Sequence, residues 1–190
     1  MKNPIATMTM ANGKKIIIEL YPKEAPNTVN SFIYLANSGC YDGHAIQRIV
    51  PGYVVDASYT AFGKDQCKYL IDNESTSWGF PNHLKMEPGV IGMGGYGEDG
   101  IAGGEFFFPL RYHAKLDGAY PAFGKILEGL DEIMSWEHVK LRPVPYPQDP
   151  SVEINEPVEP IVIESIRVET FGETYPMPVK REMKHRPPSW

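Results

Sequence analysis

Asn12-Gly13 sits between two alternating segments, and this arrangement constrains the fold more than any other feature of the chain. From Ile5 to Ala11, Ala6, Met8 and Met10 alternate with Thr7 and Thr9. From Lys14 to Tyr21, Ile16, Ile18 and Leu20 oppose Lys15 and Glu19. A period of two is that of a strand with one buried face. Asn-Gly favours a type I′ turn, in which both central residues take positive φ. The chain is therefore expected to open on an antiparallel hairpin. Composition points the same way: 36 of the 190 residues are glycine or proline, 18 of each. Both residues interrupt helices, which argues against an all-helical bundle.

Helical spacing appears twice. Val29, Phe32, Ile33 and Ala36 follow Pro26, which suits a first helical turn, and Gly39 supplies a stop. Gly129 to Val139 predicts a second helix, with Leu130, Ile133 and Met134 facing inward. Elsewhere short apolar runs predict strands. Ala45 to Ala57 reads as a second hairpin around Pro51-Gly52, and residues 62–89 as mostly loop. Gly89-Val90-Ile91 leads into a stretch with seven glycines between Gly92 and Gly104. Glu105 to Leu110, Ala119 to Ile126 and Ile161 to Thr170 complete the strands. Residues 141–160 hold six prolines and several acids without hydrophobic periodicity, and predict an extended excursion over the surface. The expected organisation is one domain over residues 1–170, interrupted by that excursion, and a C-terminal tail over 171–190. Hairpin-linked strands with two helices predict a mainly β fold, a closed antiparallel barrel or a sandwich.

The charge balance, 18 basic against 24 acidic residues for a net −6, has the wrong sign for a protein that works on phosphate backbones. No apolar run approaches 18 residues, so no membrane span is expected. The first residues lack the apolar core of a signal peptide and begin with Met1, as a complete, cytoplasmic chain would. Cys40 and Cys67 are too few for a disulfide framework or a zinc site, and Cys40 reads as a small packed side chain. The five histidines have no metal-ligand spacing, and no serine sits in a G-x-S-x-G elbow. Gly92 to Gly97 matches G-x-G-x-x-G. Glu98-Asp99-Gly100 and the glycines after it could not hold the helix that a dinucleotide site needs, since each glycine costs about 1 kcal/mol. That stretch reads instead as bare backbone approaching something extended.

Arg48 stands out because it lies in an apolar strand, Ile46 to Val50. A charge there must face water or find a partner. A two-residue turn at Pro51-Gly52 would set Arg48 opposite Val55. A three-residue loop that includes Tyr53 would set it opposite Asp56, which pairs the charges and is the expected register.

The order of these segments resembles the cyclophilin-type peptidyl-prolyl cis–trans isomerases. The resemblance rests on Glu19-Leu20-Tyr21-Pro22, Ala25 to Phe32, Gly39 to Gly43 and Arg48 to Tyr53. It continues at Gly89 to Met93, Glu105-Phe106-Phe107, Leu116-Asp117-Gly118 and Phe123-Gly124-Lys125. It covers about residues 5–139 and the closing strand 161–170. The family's fold, a closed antiparallel β-barrel capped by two helices, agrees with the reading above.

The resemblance implies that Arg48 is the catalytic arginine. It implies substrate-binding roles for Tyr53, Val54, Asp56, Gly94, Gly95, Glu105, Phe107, Leu116 and Tyr120. Tyr53 replaces a phenylalanine, Val54 a methionine, and Asp56 and Glu105 two glutamines. Gly94-Gly95 replaces the Ala-Asn pair that grips substrate backbone, Lys115 a tryptophan and Tyr120 a histidine, while Phe107 and Leu116 keep the family's residues. The tryptophan loss implies weak cyclosporin binding. The implied activity is prolyl isomerisation in protein folding, on proline-containing peptides or unfolded segments, by a monomer with no metal, cofactor, nucleic acid or membrane involved. Two alternatives stand beside it. One is a peptide-binding module with little turnover. The other is a barrel that binds a small molecule or partner through residues 141–160.

Overall fold

The computed structural model describes residues 2–57, 64–146, 149–185 and 190. The opening hairpin forms as its alternation demands. β1 (Ile5–Met10) and β2 (Lys15–Leu20) pair antiparallel, and Ala6, Met8, Met10, Ile16, Ile18 and Leu20 are all buried. The turn differs from the type I′ expectation. Met10 N–H donates to Lys14 O at 2.8 Å across a three-residue loop, and only Gly13 of that loop has positive φ. This is the geometry in which a glycine in the left-handed region closes the loop as a bulge. Asn12 stabilises it from the side: Oδ1 accepts from Lys14 N–H at 3.0 Å, and Nδ2 donates to Glu132 at 2.9 Å.

Helix α1 (Pro26–Asn37) buries Val29, Phe32, Ile33, Leu35 and Ala36. Its C-terminus closes with Gly39 N–H on Ala36 O (3.1 Å) and Cys40 N–H on Leu35 O (2.9 Å), the paired bonds of a Schellman end. Its N-terminal amides are capped from a distance. Glu74, 7% exposed, accepts from Asn27 N–H at 2.9 Å and Thr28 N–H at 2.8 Å. A buried carboxylate at this end satisfies two orphan donors and complements the helix dipole.

The remaining strands are β3 (His44–Ala45), β4 (Arg48–Val50), β5 (Val54–Asp56), β6 (Leu70–Ile71), β7 (Val90–Gly95), β8 (Ile101–Pro109), β9 (Ala122–Glu128), β10 (Leu141–Tyr146), β11 (Asp149–Pro157) and β12 (Val162–Glu169). Among the described residues ten of the twelve strands form one strongly curled antiparallel sheet in the order β3-β12-β1-β2-β9-β7-β8-β5-β4, with β6 also on β8. The mainly β architecture with two helices is thus present, but as a strongly curled half-barrel in place of the closed barrel expected: among the described residues its hydrogen-bonded path has two ends. Those ends, β3 and β4, are joined by the covalent chain at Ile46-Gln47. The second helix is shorter than expected. α2 spans Leu130–Ser135 and tightens into a 3-10 turn over Trp136–His138.

The glycine run does more than offer bare backbone to something extended. β8 begins at Ile101, so Gly103 and Gly104 lie within a strand that is buried throughout. A Cβ at Gly103 would collide with the Tyr69 ring, and one at Gly104 would meet Leu35 of α1 at 3.0 Å. These glycines let α1 and the 64–71 segment lie directly on the sheet, where Ser31 Oγ donates to Gly103 O. The strand expected from Ala119 begins instead at Ala122. Of the segment read as loop over 62–89, residues 62–63 lie outside the described residues. The rest is loop with a 3-10 turn at each of Asp65–Cys67 and Thr76–Trp78, and the short β6.

Two expectations are corrected. Cys40 and Cys67 are joined in a disulfide, because the turn after α1 and the Asp65–Cys67 turn meet in the core although they lie 27 residues apart. Residues 141–157 are no irregular excursion. β10 and β11 pair as a two-stranded antiparallel sheet, of which 147–148 lie outside the described residues. In a two-stranded ribbon every strand is an edge, so Pro143, Pro145, Pro150 and Pro157 cost it little. The tail is anchored as well. Val179 exchanges two hydrogen bonds with Asn27 (2.8 and 2.9 Å), Arg181 pairs with Asp72 at 2.6 Å, and Trp190 stands edge-on to Tyr96.

Candidate functional site

Four strands set a row of residues across the sheet. Arg48 of β4 faces Asp56 of β5, Asp56 faces Phe107 of β8, and Phe107 faces Gly92 of β7. Residues paired across neighbouring strands share a face, and this face lies outside the main core. Phe106 and Phe108, on either side of Phe107, point inward and pack in that core. Phe107 joins a second, smaller apolar cluster with Val54, Met86, Val90, Leu116 and Ala122. Gly92 makes room for it: a Cβ there would lie 2.7 Å from Phe107 Cζ and 2.8 Å from Met86 Cε.

Above this apolar floor is a cleft of about 270 Å³. All ten residues singled out from the sequence line it: Arg48, Tyr53, Val54, Asp56, Gly94, Gly95, Glu105, Phe107, Leu116 and Tyr120. Each is brought there for a local reason. The loop at Pro51-Gly52-Tyr53 has the expected three residues, so Arg48 opposes Asp56, and Nη1 donates to Oδ2 at 2.6 Å. Tyr53 is fixed by its N–H on Val50 O (2.9 Å) and its carbonyl under Leu110 N–H (2.8 Å), and its ring meets His113 edge-on. Leu116 is held by a turn whose Asp117 carboxylate accepts from Met86 N–H at 3.0 Å, which ties both walls of the apolar floor together. Tyr120 packs edge-on against Phe107 at 5.6 Å.

Gly94 and Gly95 line the cleft, but their lack of side chains answers first to β8. A Cβ at Gly94 would lie 3.1 Å from Glu105 O, and one at Gly95 2.6 Å from Ile101 Cδ1. Glu105 itself is 6% exposed and accepts from the Tyr96 hydroxyl at 2.7 Å.

The sequence reading missed Tyr96 and Tyr146. Tyr96 is the one aromatic within the glycine run, a signal that the dinucleotide comparison obscured. Tyr146 is the one aromatic among the prolines of 141–160, and only the fold brings that hairpin to the cleft. The phenols of Tyr120 and Tyr146 are both pushed above their ordinary range. Burial is the main cause; the carboxylate of Asp56 adds to it at both, that of Glu105 at Tyr146, and Arg48 opposes it. The charged groups of the site therefore act on the same small volume. Among the described residues no three His, Cys, Asp or Glu side chains converge as metal ligands would. The arrangement is that of a site for binding and for hydrogen bonding from a permanent cation, beside an apolar hollow.

The model of the family described as cyclophilin type peptidyl-prolyl cis-trans isomerase/CLD matches residues 5–168. Peptidyl-prolyl cis-trans isomerase B of Bacillus subtilis is 35% identical over 123 residues, 64% of this chain and 82% of that protein. Peptidyl-prolyl cis-trans isomerase-like 2 of Cryptococcus neoformans is 31% identical over 165 residues, 86% of this chain but 27% of that longer protein. Among solved structures, a cyclophilin type peptidyl-prolyl cis-trans isomerase of Cryptosporidium parvum superposes with a TM-score of 0.71 at 20% identity, covering 90% of this chain and 99% of its own. The same protein in the presence of the dipeptide Ala-Pro gives a TM-score of 0.69.

Proposed function

The chain belongs to the cyclophilin-type peptidyl-prolyl cis–trans isomerase family, and from that premise we propose that its cleft isomerises Xaa-Pro bonds of peptides and unfolded segments, with Arg48 as the catalytic residue. The observation that carries this reading is the guanidinium of Arg48 beside the hollow formed by Phe107, Leu116, Val54 and Tyr53.

Rotation about an amide faces a barrier of about 18–20 kcal/mol because resonance is lost at the perpendicular geometry. No covalent bond to the protein is required; the site must bind the twisted amide better than either planar form. At the twisted geometry the proline nitrogen regains a lone pair, to which a guanidinium N–H can donate. One charge-assisted hydrogen bond contributes about 1.5–3 kcal/mol, or one to two powers of ten in rate. Arginine suits the task because it stays protonated at any working pH. The apolar hollow holds the ring while the carbonyl side turns, and the backbone near Gly94-Gly95 receives the peptide as an added extended strand.

Asp56 orients Arg48. A 2.6 Å pair with Nη1 restricts the side chain to one rotamer, and a guanidinium carries five N–H groups in a fixed fork. The alternative, a peptide-binding module with little turnover, draws on the same pair, since Asp56 engages donors that a substrate would use. Exchange spectroscopy of a short Ala-Pro peptide separates the two. Isomer exchange accelerated by the protein and reduced about ten- to a hundredfold in Arg48→Ala supports catalysis. Peptide binding with exchange at its spontaneous rate refutes it.

A further inference from the structure

The loop that carries Tyr53 stands at the edge of the sheet. Among the described residues β4 ends the hydrogen-bonded path, and β4 and β5 are three residues each. A ladder this short depends on the loop that joins its strands. Pro51 and Gly52 are exposed at the loop's tip, and Gly52 takes a φ of 73°, which glycine adopts freely. Within the loop, Tyr53 N–H on Val50 O (2.9 Å) closes the turn.

The tip is held from a distant part of the chain. The 3-10 turn over Trp136–His138 packs against β4, and Glu137 Oε2 in that turn accepts from Gly52 N–H at 3.0 Å. The other oxygen, Oε1, accepts from Arg111 Nη2 at 3.0 Å. Arg111 Nη1 donates to Leu110 O at 2.5 Å, and Leu110 N–H donates to Tyr53 O at 2.8 Å. One carboxylate therefore closes a circuit around Tyr53, through the residue before it and through the end of β8. The Glu137 side chain is 8% exposed, and a charge so covered must be paired. Burial pushes its carboxyl up, but the bonds from Arg111 and Gly52 outweigh this and hold it below its ordinary value. At neutral pH the bond to Gly52 thus ends on a carboxylate, and such a bond is roughly twice as strong as one between neutral groups.

We propose that Glu137, which does not line the cleft, is a positioning residue for it: by holding Gly52 it sets the Tyr53 ring as a wall of the proline hollow. Arg48 is placed separately, by its ladder partner Asp56 and the 2.6 Å bond between them. Glu137 therefore governs how tightly a peptide is held, and leaves the rate of rotation in the bound state nearly unchanged. This rests on the proposed use of the cleft for Xaa-Pro peptides.

The test takes a short Ala-Pro peptide, with Kd from NMR titration and kcat and KM from exchange spectroscopy. Glu137→Ala should raise Kd and KM about three- to tenfold, with kcat within about twofold of wild type. Glu137→Gln, which keeps an oxygen for Gly52, should restore most of the affinity. Arg111→Ala, which removes the ion pair and leaves the Gly52 bond, should bind within about twofold of wild type. The double variant Glu137→Ala/Tyr53→Ala should bind no more weakly than Tyr53→Ala, because the effect passes through that ring. If Glu137→Ala does not fold, Glu137→Met, which keeps the stem and removes both oxygens, makes the same comparison. Unchanged Kd and KM in a folded variant without the carboxylate overturn the proposal, as does full additivity with Tyr53→Ala. Catalysis is judged apart. Peptide binding by the wild type without accelerated exchange removes catalysis and leaves Glu137 to be decided on Kd. Accelerated exchange with a Kd indifferent to Glu137 does the reverse.

Discussion

Arg48 and Asp56 face one another across the β4–β5 ladder, with Nη1 and Oδ2 2.6 Å apart and the two side chains 29% and 17% exposed. In this position the carboxylate acts on the guanidinium before any substrate does. If it fixes the rotamer from which Arg48 donates, Asp56→Asn should lower kcat/KM about three- to tenfold, mainly through kcat, with the thermal midpoint nearly unchanged. Exchange kinetics beside a melting curve decide this, and unchanged turnover in a folded variant removes Asp56 from the mechanism.

Gly92 and Phe107 share the end of the same row. Gly92→Ala would press a methyl group against Phe107 Cζ and Met86 Cε, both under 3.0 Å away. Overpacking of this kind costs about 1–3 kcal/mol. The variant should fold, but with the Phe107 ring displaced into the cleft. A rise in KM for a short Xaa-Pro peptide, larger than the fall in stability accounts for, is the expected signature. A variant with wild-type KM would place the pocket floor elsewhere.

The Cys40–Cys67 disulfide closes a loop between residues 27 apart. On the chain-entropy account such a link contributes about 3–4 kcal/mol by restricting the unfolded chain. Denaturant titrations with and without a phosphine reductant should therefore differ by roughly that amount. Cys40→Ser/Cys67→Ser should resemble the reduced protein and be insensitive to reductant. An equal midpoint for oxidised and reduced samples would contradict this.

Glu132 ties the opening turn to α2 and supports a prediction in pH. Burial pushes its carboxyl up, but the bonds from Lys14 (2.5 Å), Asn12 (2.9 Å) and Trp136 (3.4 Å), with the Lys14 charge, outweigh it, and it ends below its ordinary value. A carboxyl held lower in the folded chain contributes stability that is fully present above its unfolded pKa, near 4.3, and lost as pH falls through its folded value. Glu132→Gln should lower the melting temperature at neutral pH, and its curve should converge with that of the parent protein once the pH has fallen below the depressed folded pKa of Glu132. A gap between the two that stays constant from acid to neutral would assign the effect to packing alone.

What the sequence disclosed, and what it withheld, follows from the range over which each determinant acts. β1, β2 and α1 were legible because their patterns are local: Met8 and Ile18 alternate with polar neighbours, and Phe32 and Ala36 recur at helical spacing. The Arg48–Asp56 register was legible because a buried charge needs a partner and only one loop length supplies it. The wider cleft is legible only through resemblance to a family, since no local pattern links Leu116 to Arg48. The place of Gly103 and Gly104 within a buried strand is not legible because what they accommodate, Tyr69 and Leu35, arrives from elsewhere in the chain. The disulfide, the β10–β11 pairing and the place of Tyr146 in the cleft likewise depend on contacts between distant segments. Composition alone could not announce them.

Along β8 the side chains of Phe106 and Phe108 turn one way and that of Phe107 the other, so the sheet separates the interior from the floor of the cleft. Mutational drift can rewrite chemistry on one side without disturbing the architecture on the other. The steepest evolutionary constraint then falls on registry, because a one-residue slip of β8 would exchange the two sides and forfeit both.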